Sequence, residues 1–247
     1  MDTDEVREEA AALDIAEGLD RQLALATRQM DDATGSEDVL RVAVGWSMAL
    51  IDGCELAGVT LRRRRGRLES MAPSEPAVGA CDHLQYELDE GPCLDAITDE
   101  PVIEAPHVAT DGRWPRWGPL VAKQHGIAGM LSVRLFSSDR VHGALNLYSR
   151  TLDAFDRDAI DIALLLSTHV SVALRSALVD EQLRLAVDSR NLIGQAQGIL
   201  MERFSLDANR AFAVLSRISQ DSNIKLLDVA THVVKRRQLP GTGGDLH

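Results

Sequence analysis

The amino-acid sequence predicts an α+β fold, in which an antiparallel sheet flanked by helices is followed by a long connecting helix and an all-α module of three helices. Residues 55–149 contain short apolar runs bounded by glycine, proline and charged residues, which is typical of strands. Residues 156–193 contain neither glycine nor proline and repeat apolar side chains at helical spacing. Two shorter amphipathic segments follow Arg203, and each is predicted to form a helix.

The charge of the chain is unevenly distributed. The 247 residues carry a formal net charge of -12, which argues against nucleic-acid binding by the chain as a whole. Residues 178–239 hold nine Lys and Arg against seven Asp and Glu, a net of +2, whereas the other residues hold 17 against 31, a net of -14. The charge therefore argues against a polyanionic partner for the acidic remainder of the chain, but not for residues 178–239.

Neither a targeting segment nor a disulfide framework is indicated. The acidic N-terminus lacks the basic start and apolar run of a secretory signal, and no apolar stretch is long enough for a membrane helix, so a cytoplasmic protein without a membrane partner is expected. The three cysteines form no CxxC pair, which predicts reduced thiols. No cofactor, metal site or catalytic residue is predicted.

The first half of the chain is predicted to contain an extension and one compact domain. Residues 1–35 read as a helical extension, interrupted near 32–36. Residues 36–177 read as a domain that starts with a helix after Ser36 and continues with the strands. We interpret the arginine block at 61–67 as a solvated hairpin tip in preference to a phosphate contact.

The long helix is predicted to extend beyond its own domain, so that part of its apolar surface must pack against another part of the protein or a second copy. If it ran unbroken to Arg203, its 48 residues would span about 72 Å at 1.5 Å per residue. A parallel seam between two copies of the chain, making a homodimer through helix 156–203, is the simplest cover. A bent helix packed within one monomer is the alternative. The predicted seam consists of Leu174, Leu178, Leu185, Leu192, Ala196 and Ile199.

Two glycines one turn apart mark the C-terminal module, which is predicted to span residues 178–239. Gly194 and Gly198 interrupt a strongly helical segment, and each costs about 1 kcal/mol relative to alanine. Either helix packing, which we favour, or close approach of a polyphosphate chain explains such a pair. Pro240 and three glycines predict a disordered tail at 240–247. The predicted core of the module is Ala196, Ile199, Leu200, Phe212, Leu215, Val229 and Ala230.

Two resemblances follow from these residues. Residues 186–233 resemble an ANTAR domain, the RNA-binding module of transcription antitermination regulators, across all three helices; the run includes Arg190, Ile193, Ala196, Gly198, Ala211, Phe212, Leu215, Asn223, Leu226 and Val229. Residues 36–177 are similar to a GAF domain, through DEGPCLDA at 89–96 and the closing helix. GAF domains bind many ligands or none, so an unknown small-molecule ligand stays open.

The resemblance implies a signal-responsive antiterminator, and not an enzyme, that binds hairpin loops in leader RNA. Amide side chains would suit base edges and basic ones would suit phosphates. The family usually carries lysine at the position of Gln197, so this departure removes one positive charge per subunit. The candidate RNA-binding residues are Arg190, Gln195, Gln197, Arg203, Arg217 and Lys225.

Two other function classes are weighed beside this one. The first is a GAF-type redox or ligand-binding enzyme, such as a free methionine sulfoxide reductase using Cys81 and Cys93, although a buried cysteine more often serves packing. The second is a helix-turn-helix DNA-binding protein, which is disfavoured because the last helices lack a short glycine turn and a basic recognition helix.

Overall fold

A computed structural model of the protein describes residues 18–137 and 140–237. They divide into two compact units between Leu178 and Val179. The predicted α+β class is confirmed, with an antiparallel sheet, flanking helices, one long helix and later helices. The predicted tail at 240–247 and the start of the predicted extension lie outside the described residues.

The first unit contains one five-stranded sheet and five helices that precede the long helix. Its strands pair antiparallel in the order β2-β1-β5-β4-β3. The strands are β1 (Leu56–Arg62), β2 (Leu68–Met71), β3 (Val102–Ala105), β4 (Gly129–Ser137) and β5 (Arg140–Ser149). The helices are α1 (described over 18–31), α2 (Ser36–Leu50), α3 (Pro76–Leu88), α4 (Pro92–Thr98) and α5 (Trp117–His125).

The sheet of the first unit is buried on both faces. Successive side chains of β5 point to opposite faces, so Leu145 and Leu147 join one apolar cluster while Ala144 and Tyr148 join another. The first cluster includes residues of α1, α2 and the long helix, and the second includes residues of α3, α4 and α5. This double cover explains why consecutive side chains of β5, and not only alternate ones, are buried.

The long helix, α6, runs from Arg157 to Phe204 over 48 residues, as the sequence predicts. It is long and apolar enough to cross a membrane by length and composition alone. In the first unit, however, one side of the helix is buried in the core beside the sheet, where Ala163, Leu166, Val170 and Leu174 lie. The expectation that no apolar stretch is long enough for a membrane helix is therefore wrong by this test, which the core helix of a soluble protein also passes.

The seam predicted for α6 is wrong, because its two ends belong to the chain's own cores. Leu174 is fully buried in the first unit, and Ala196 is fully buried in the second. Leu185, between them, is 66% exposed. At Leu174 and Ala196 the periodicity of the seam reflects packing within the chain, whereas Leu185 belongs to neither core.

The second unit packs the end of α6 against two short helices, α7 (Ala208–Asp221) and α8 (Leu226–Arg236). Asp207 caps α7, since its carboxylate accepts a hydrogen bond from the Arg210 backbone N–H at 2.8 Å. The buried core is small, and it consists of Ala196, Leu200, Ala211, Leu215, Val229, Ala230 and Val233.

Candidate nucleic-acid interface

The six predicted RNA-binding residues do not lie on one surface. Gln195 and Gln197 are two positions apart in α6, so their side chains leave the helix about 200° apart. Arg217 lies on α7, and Lys225 directly precedes α8. The six residues therefore divide into groups, and Gln195 cannot contact the same loop as Gln197 by a direct approach from one side.

Arg190 and Gln197 do share one face of α6. They are seven residues apart, which is close to two helical turns. The steps of three and four residues that continue this face define what we call the α6 strip. It consists of Arg190, Gly194, Gln197, Met201 and Phe204.

A hydrogen bond joins the α6 strip to the start of α7. The side-chain amide Nε2 of Gln197 donates to the backbone carbonyl of Ala208 at 3.1 Å. Phe212 follows Ala208 by four residues and so lies on the same side of α7, one turn further on. The α6 strip and Phe212 are thus parts of neighbouring surfaces in one small unit.

Both glycines of α6 are open to the outside of the chain. A Cβ built on Gly194 or Gly198 would meet no described atom within 4 Å beyond the local helix backbone. The favoured explanation of helix packing is therefore wrong within the described chain. Because each glycine still costs about 1 kcal/mol, the explanation that survives is close approach by another molecule.

Phe212 is a second correction to the predicted core. Its side chain is 43% exposed, and Phe204 is 48% exposed. The core stripe of α7 is centred on Ala211 and Leu215, so Phe212 lies about 100° away from it. The neighbouring guanidinium of Arg203 lies 5.9 Å from the centroid of the Phe204 ring.

The basic residues of the second unit differ in whether their side chains already contact a carbonyl or carboxylate of the same chain. Arg203 donates to the backbone carbonyl of Arg237, and Arg217 lies 3.6 Å from Asp221 in an exposed ion pair. Among the residues that the structure describes, Arg190 and Lys225 have no ion-pair partner. From 190 to 237 the chain has eight Lys and Arg against four Asp and Glu, a net of +4.

The interior of the first unit contains a buried carboxylate without a cation beside it. Asp82, on α3, is fully buried and accepts hydrogen bonds from Ser70 Oγ at 2.6 Å, Tyr148 Oη at 2.5 Å and Asn146 Nδ2 at 3.1 Å. Burial raises the pKa of Asp82 from 3.8 to about 6, although these three hydrogen bonds oppose the rise. One turn later, Gln85 accepts from the Cys93 backbone N–H, and its Nε2 has no partner.

The three cysteines lack the low pKa and the solvent access of reactive thiols. Cys54, Cys81 and Cys93 are free and buried, and burial raises the pKa of each to about 12. A nucleophilic or redox-active cysteine needs a lowered pKa and access to solvent. Within residues 18–137 and 140–237, no three His, Cys, Asp or Glu side chains are grouped to hold a metal ion.

Comparison with known proteins assigns a family to each part of the chain. The family model of the GAF domain matches residues 33–175, more than half of the chain, and that of the ANTAR domain matches residues 181–234. No curated protein matches the chain.

Solved structures resemble the first part of the chain in fold. One is the GAF domain of a phosphoenolpyruvate-protein phosphotransferase from Coxiella burnetii, with a TM-score of 0.53 and 14% identity, over 68% of this chain and 98% of that one. The corresponding domain from Acinetobacter gives a TM-score of 0.50 and 16% identity, over 66% and 97%. A bacteriophytochrome from the photosynthetic bacterium R. palustris gives 0.53 and 13%, over 74% and 42%.

Proposed function

Because the chain belongs to the GAF domain family and carries an ANTAR domain after the GAF domain, we propose that it is a signal-responsive transcription antiterminator. ANTAR is an RNA-binding antitermination domain and GAF is a sensory domain, so the pairing makes the protein a regulator. In this proposal the second unit binds hairpin loops in leader RNA and prevents a terminator from forming, and the first unit regulates that binding.

The observation that carries the proposal is the α6 strip. Arg190 supplies a charge that has no ion-pair partner among the described residues, Gln197 supplies an amide, and Gly194 leaves the helix backbone open to close approach. A hairpin loop displays closely spaced phosphates and unstacked bases, and these are the groups that such a surface suits. Arg203, Arg217 and Lys225 add positive charge elsewhere in the second unit, and Gln195 would reach RNA only from the other side of α6.

We also propose that the protein is a homodimer, through a different face of α6 from the one the sequence predicts. Residues 179–191 are exposed almost all around the helix. Apolar side chains recur there and upstream at steps of seven and four residues, which keeps them on one face of the helix as in a two-helix seam. We call this set the outer stripe; it consists of Leu165, Val172, Val179, Leu183 and Val187, which are between 43% and 68% exposed.

Regulation is proposed to pass along α6, since this single helix begins in the core of the first unit and ends at the α6 strip. The input would be a small molecule of unknown identity. The raised pKa of the buried thiols supports a sensor without redox catalysis, in preference to a methionine sulfoxide reductase that uses Cys81 and Cys93. We place the domain boundary near 178 and the protein in the cytoplasm.

Titration with RNA at several salt concentrations tests the function. The purified protein should bind a two-hairpin leader RNA in a loop-dependent, salt-sensitive manner and should not bind duplex DNA with comparable affinity. Arg190→Gln should weaken RNA binding and reduce the slope of log K against log salt by about 1. Arg184→Gln, a change of the same charge at another exposed residue of α6 off the strip, is the matched control and should leave the slope unchanged. No preference for RNA loops would overturn the proposal.

Insertion of residues after Leu178 tests the coupling along α6. Two extra residues rotate everything that follows by about 200°, whereas seven rotate it by only about 20° from its original phase. The two-residue insertion should therefore lower the affinity for two-hairpin RNA, and the seven-residue insertion should largely preserve it. Equal affinities for both variants would show that the phase of α6 is irrelevant.

A further inference from the structure

We propose that Phe204 and Phe212 are stacking platforms for unpaired bases of the bound RNA loop. This inference rests on the proposed function, and it adds the residues that hold the bases in addition to those that hold the phosphates. It starts from two phenyl rings that the sequence pattern assigns to the core or leaves without a role.

Both phenyl rings are exposed in the second unit, which has a small apolar core. The chain has four phenylalanines, and two of them lie in the small second unit with 48% and 43% of their side chains exposed. That unit buries only seven side chains in its core. Burying either ring would strengthen such a core, so their position beside the α6 strip, and not their exposure alone, makes them candidates for a surface use.

The rings lie beside the groups that suit the rest of a nucleotide. Phe204 ends the α6 strip, and Arg190 lies at its other end, with Gly194 and Gln197 between them. The bond from Gln197 to the backbone carbonyl of Ala208 brings the first turn of α7 next to the strip, and Phe212 lies one turn further along α7. A loop lying along the strip would thus meet a cation, an open helix backbone, an amide and aromatic rings.

Charge favours a nucleic-acid base over an apolar protein surface as the occupant. The strip contains no acidic residue, and Arg203 adds a guanidinium 5.9 Å from the Phe204 ring. Proteins bind unpaired RNA bases by stacking them on aromatic and guanidinium planes, while nearby basic groups hold the phosphates. An apolar protein partner would leave the Arg190 guanidinium without a matching group.

The test compares ring removal with ring retention. Phe204→Leu and Phe212→Leu keep an apolar side chain but remove the flat ring, and each should weaken binding of the two-hairpin RNA by about five- to 150-fold. Phe204→Tyr and Phe212→Tyr keep the ring and should stay near wild type. Phe136→Leu removes a ring that is 55% exposed on β4 and is the matched control, with no expected change.

A spectroscopic readout separates stacking from a general loss of fit. With 2-aminopurine placed at each loop position in turn, fluorescence at one or more positions should change on binding the wild type, and the change should be lost with the Leu variants. Hydrogen exchange in α7 and α8 verifies that each variant is folded.

The outcomes distinguish this inference from the proposed function. If the wild type fails to bind loop RNA, the function itself is refuted, and the inference with it. If the wild type binds and the folded Leu variants bind equally well, only the stacking role is refuted. If a Leu variant instead changes the molar mass in light scattering without RNA, the rings form a contact between protein chains and the inference is overturned.

Discussion

Replacing the two open glycines of α6 by alanine should stabilise the second unit. A helix-interior glycine costs about 1 kcal/mol relative to alanine, and a Cβ at Gly194 or Gly198 meets no described atom that would have to move. Gly194→Ala and Gly198→Ala should therefore each raise the free energy of unfolding by about 1 kcal/mol, and the double variant by about 2 kcal/mol. For a unit of this size, 1 kcal/mol corresponds to about 4–8 °C in melting temperature.

Hydrogen exchange of the α7 and α8 amides in the full chain measures this gain locally, without interference from the first unit. Ala213→Gly, the reverse change at an exposed position of α7, calibrates the helix propensity and should cost about 1 kcal/mol. If either alanine variant is destabilised, the glycine has a packing role within the chain and the geometric argument fails.

Gly194→Ala should also lose affinity for RNA while it gains stability. A methyl group on Gly194 stands on the α6 strip and would hold an approaching phosphate away from the helix backbone. A more stable protein with unchanged affinity for loop RNA would remove Gly194 from the proposed interface. Stability and affinity changing in opposite directions is the result that a structural role alone would not produce.

Three further predictions concern the dimer, the buried carboxylate and the small core. Leu183→Glu should convert the dimer to a monomer in sedimentation experiments, whereas Leu185→Glu, about 200° around α6, should not; equal effects would contradict the outer stripe. Because burial raises the pKa of Asp82 from 3.8 to about 6, the unfolded chain releases this proton first. The stability of the first unit should thus fall by about 3 kcal/mol as pH rises through that interval, and Asp82→Asn should flatten the pH profile in urea unfolding. Leu215→Ala should cost the second unit about 2–5 kcal/mol, as measured by hydrogen exchange, because its side chain is fully buried.

Local patterns were sufficient to predict most of the fold. Short runs bounded by turn residues became the strands, and the absence of glycine and proline after Asp156 became a helix of the expected 48 residues. These predictions succeed because strand and helix formation depend on near neighbours and on the period of the apolar side chains.

The assignment of faces on α6 could not be predicted in the same way. Apolar residues recur on two opposite sides of the helix with nearly the same spacing. The sequence alone therefore does not distinguish the predicted seam from the outer stripe. Only the packing partners decide between them, and they place Leu174 in the first core and Ala196 in the second. Phe212 was misassigned for a related reason, since one helical position separates it from the buried Ala211.

The network around Asp82 had no sequence signal at all. Its members come from β2, α3 and β5, and the sheet register brings them together over as many as 78 positions from Ser70 to Tyr148. An aspartate that lies between a cysteine and a histidine, as Asp82 does on α3, is normally expected at the surface. A contact of this kind depends on the complete tertiary structure, which no local pattern encodes.

The outer stripe and the α6 strip lie on the same face of α6, and this has a consequence for RNA binding. The steps of three and four residues continue from Leu183 through Val187 to Arg190, where the apolar side chains end. In a dimer formed through the outer stripe, Arg190, Gly194 and Gln197 of the two copies would come next along the contact. Two like charges and open glycines do not sustain a seam, so the helices should separate there. Loop RNA would then bind where the two copies diverge, and its negative charge would relieve the repulsion between the paired arginines.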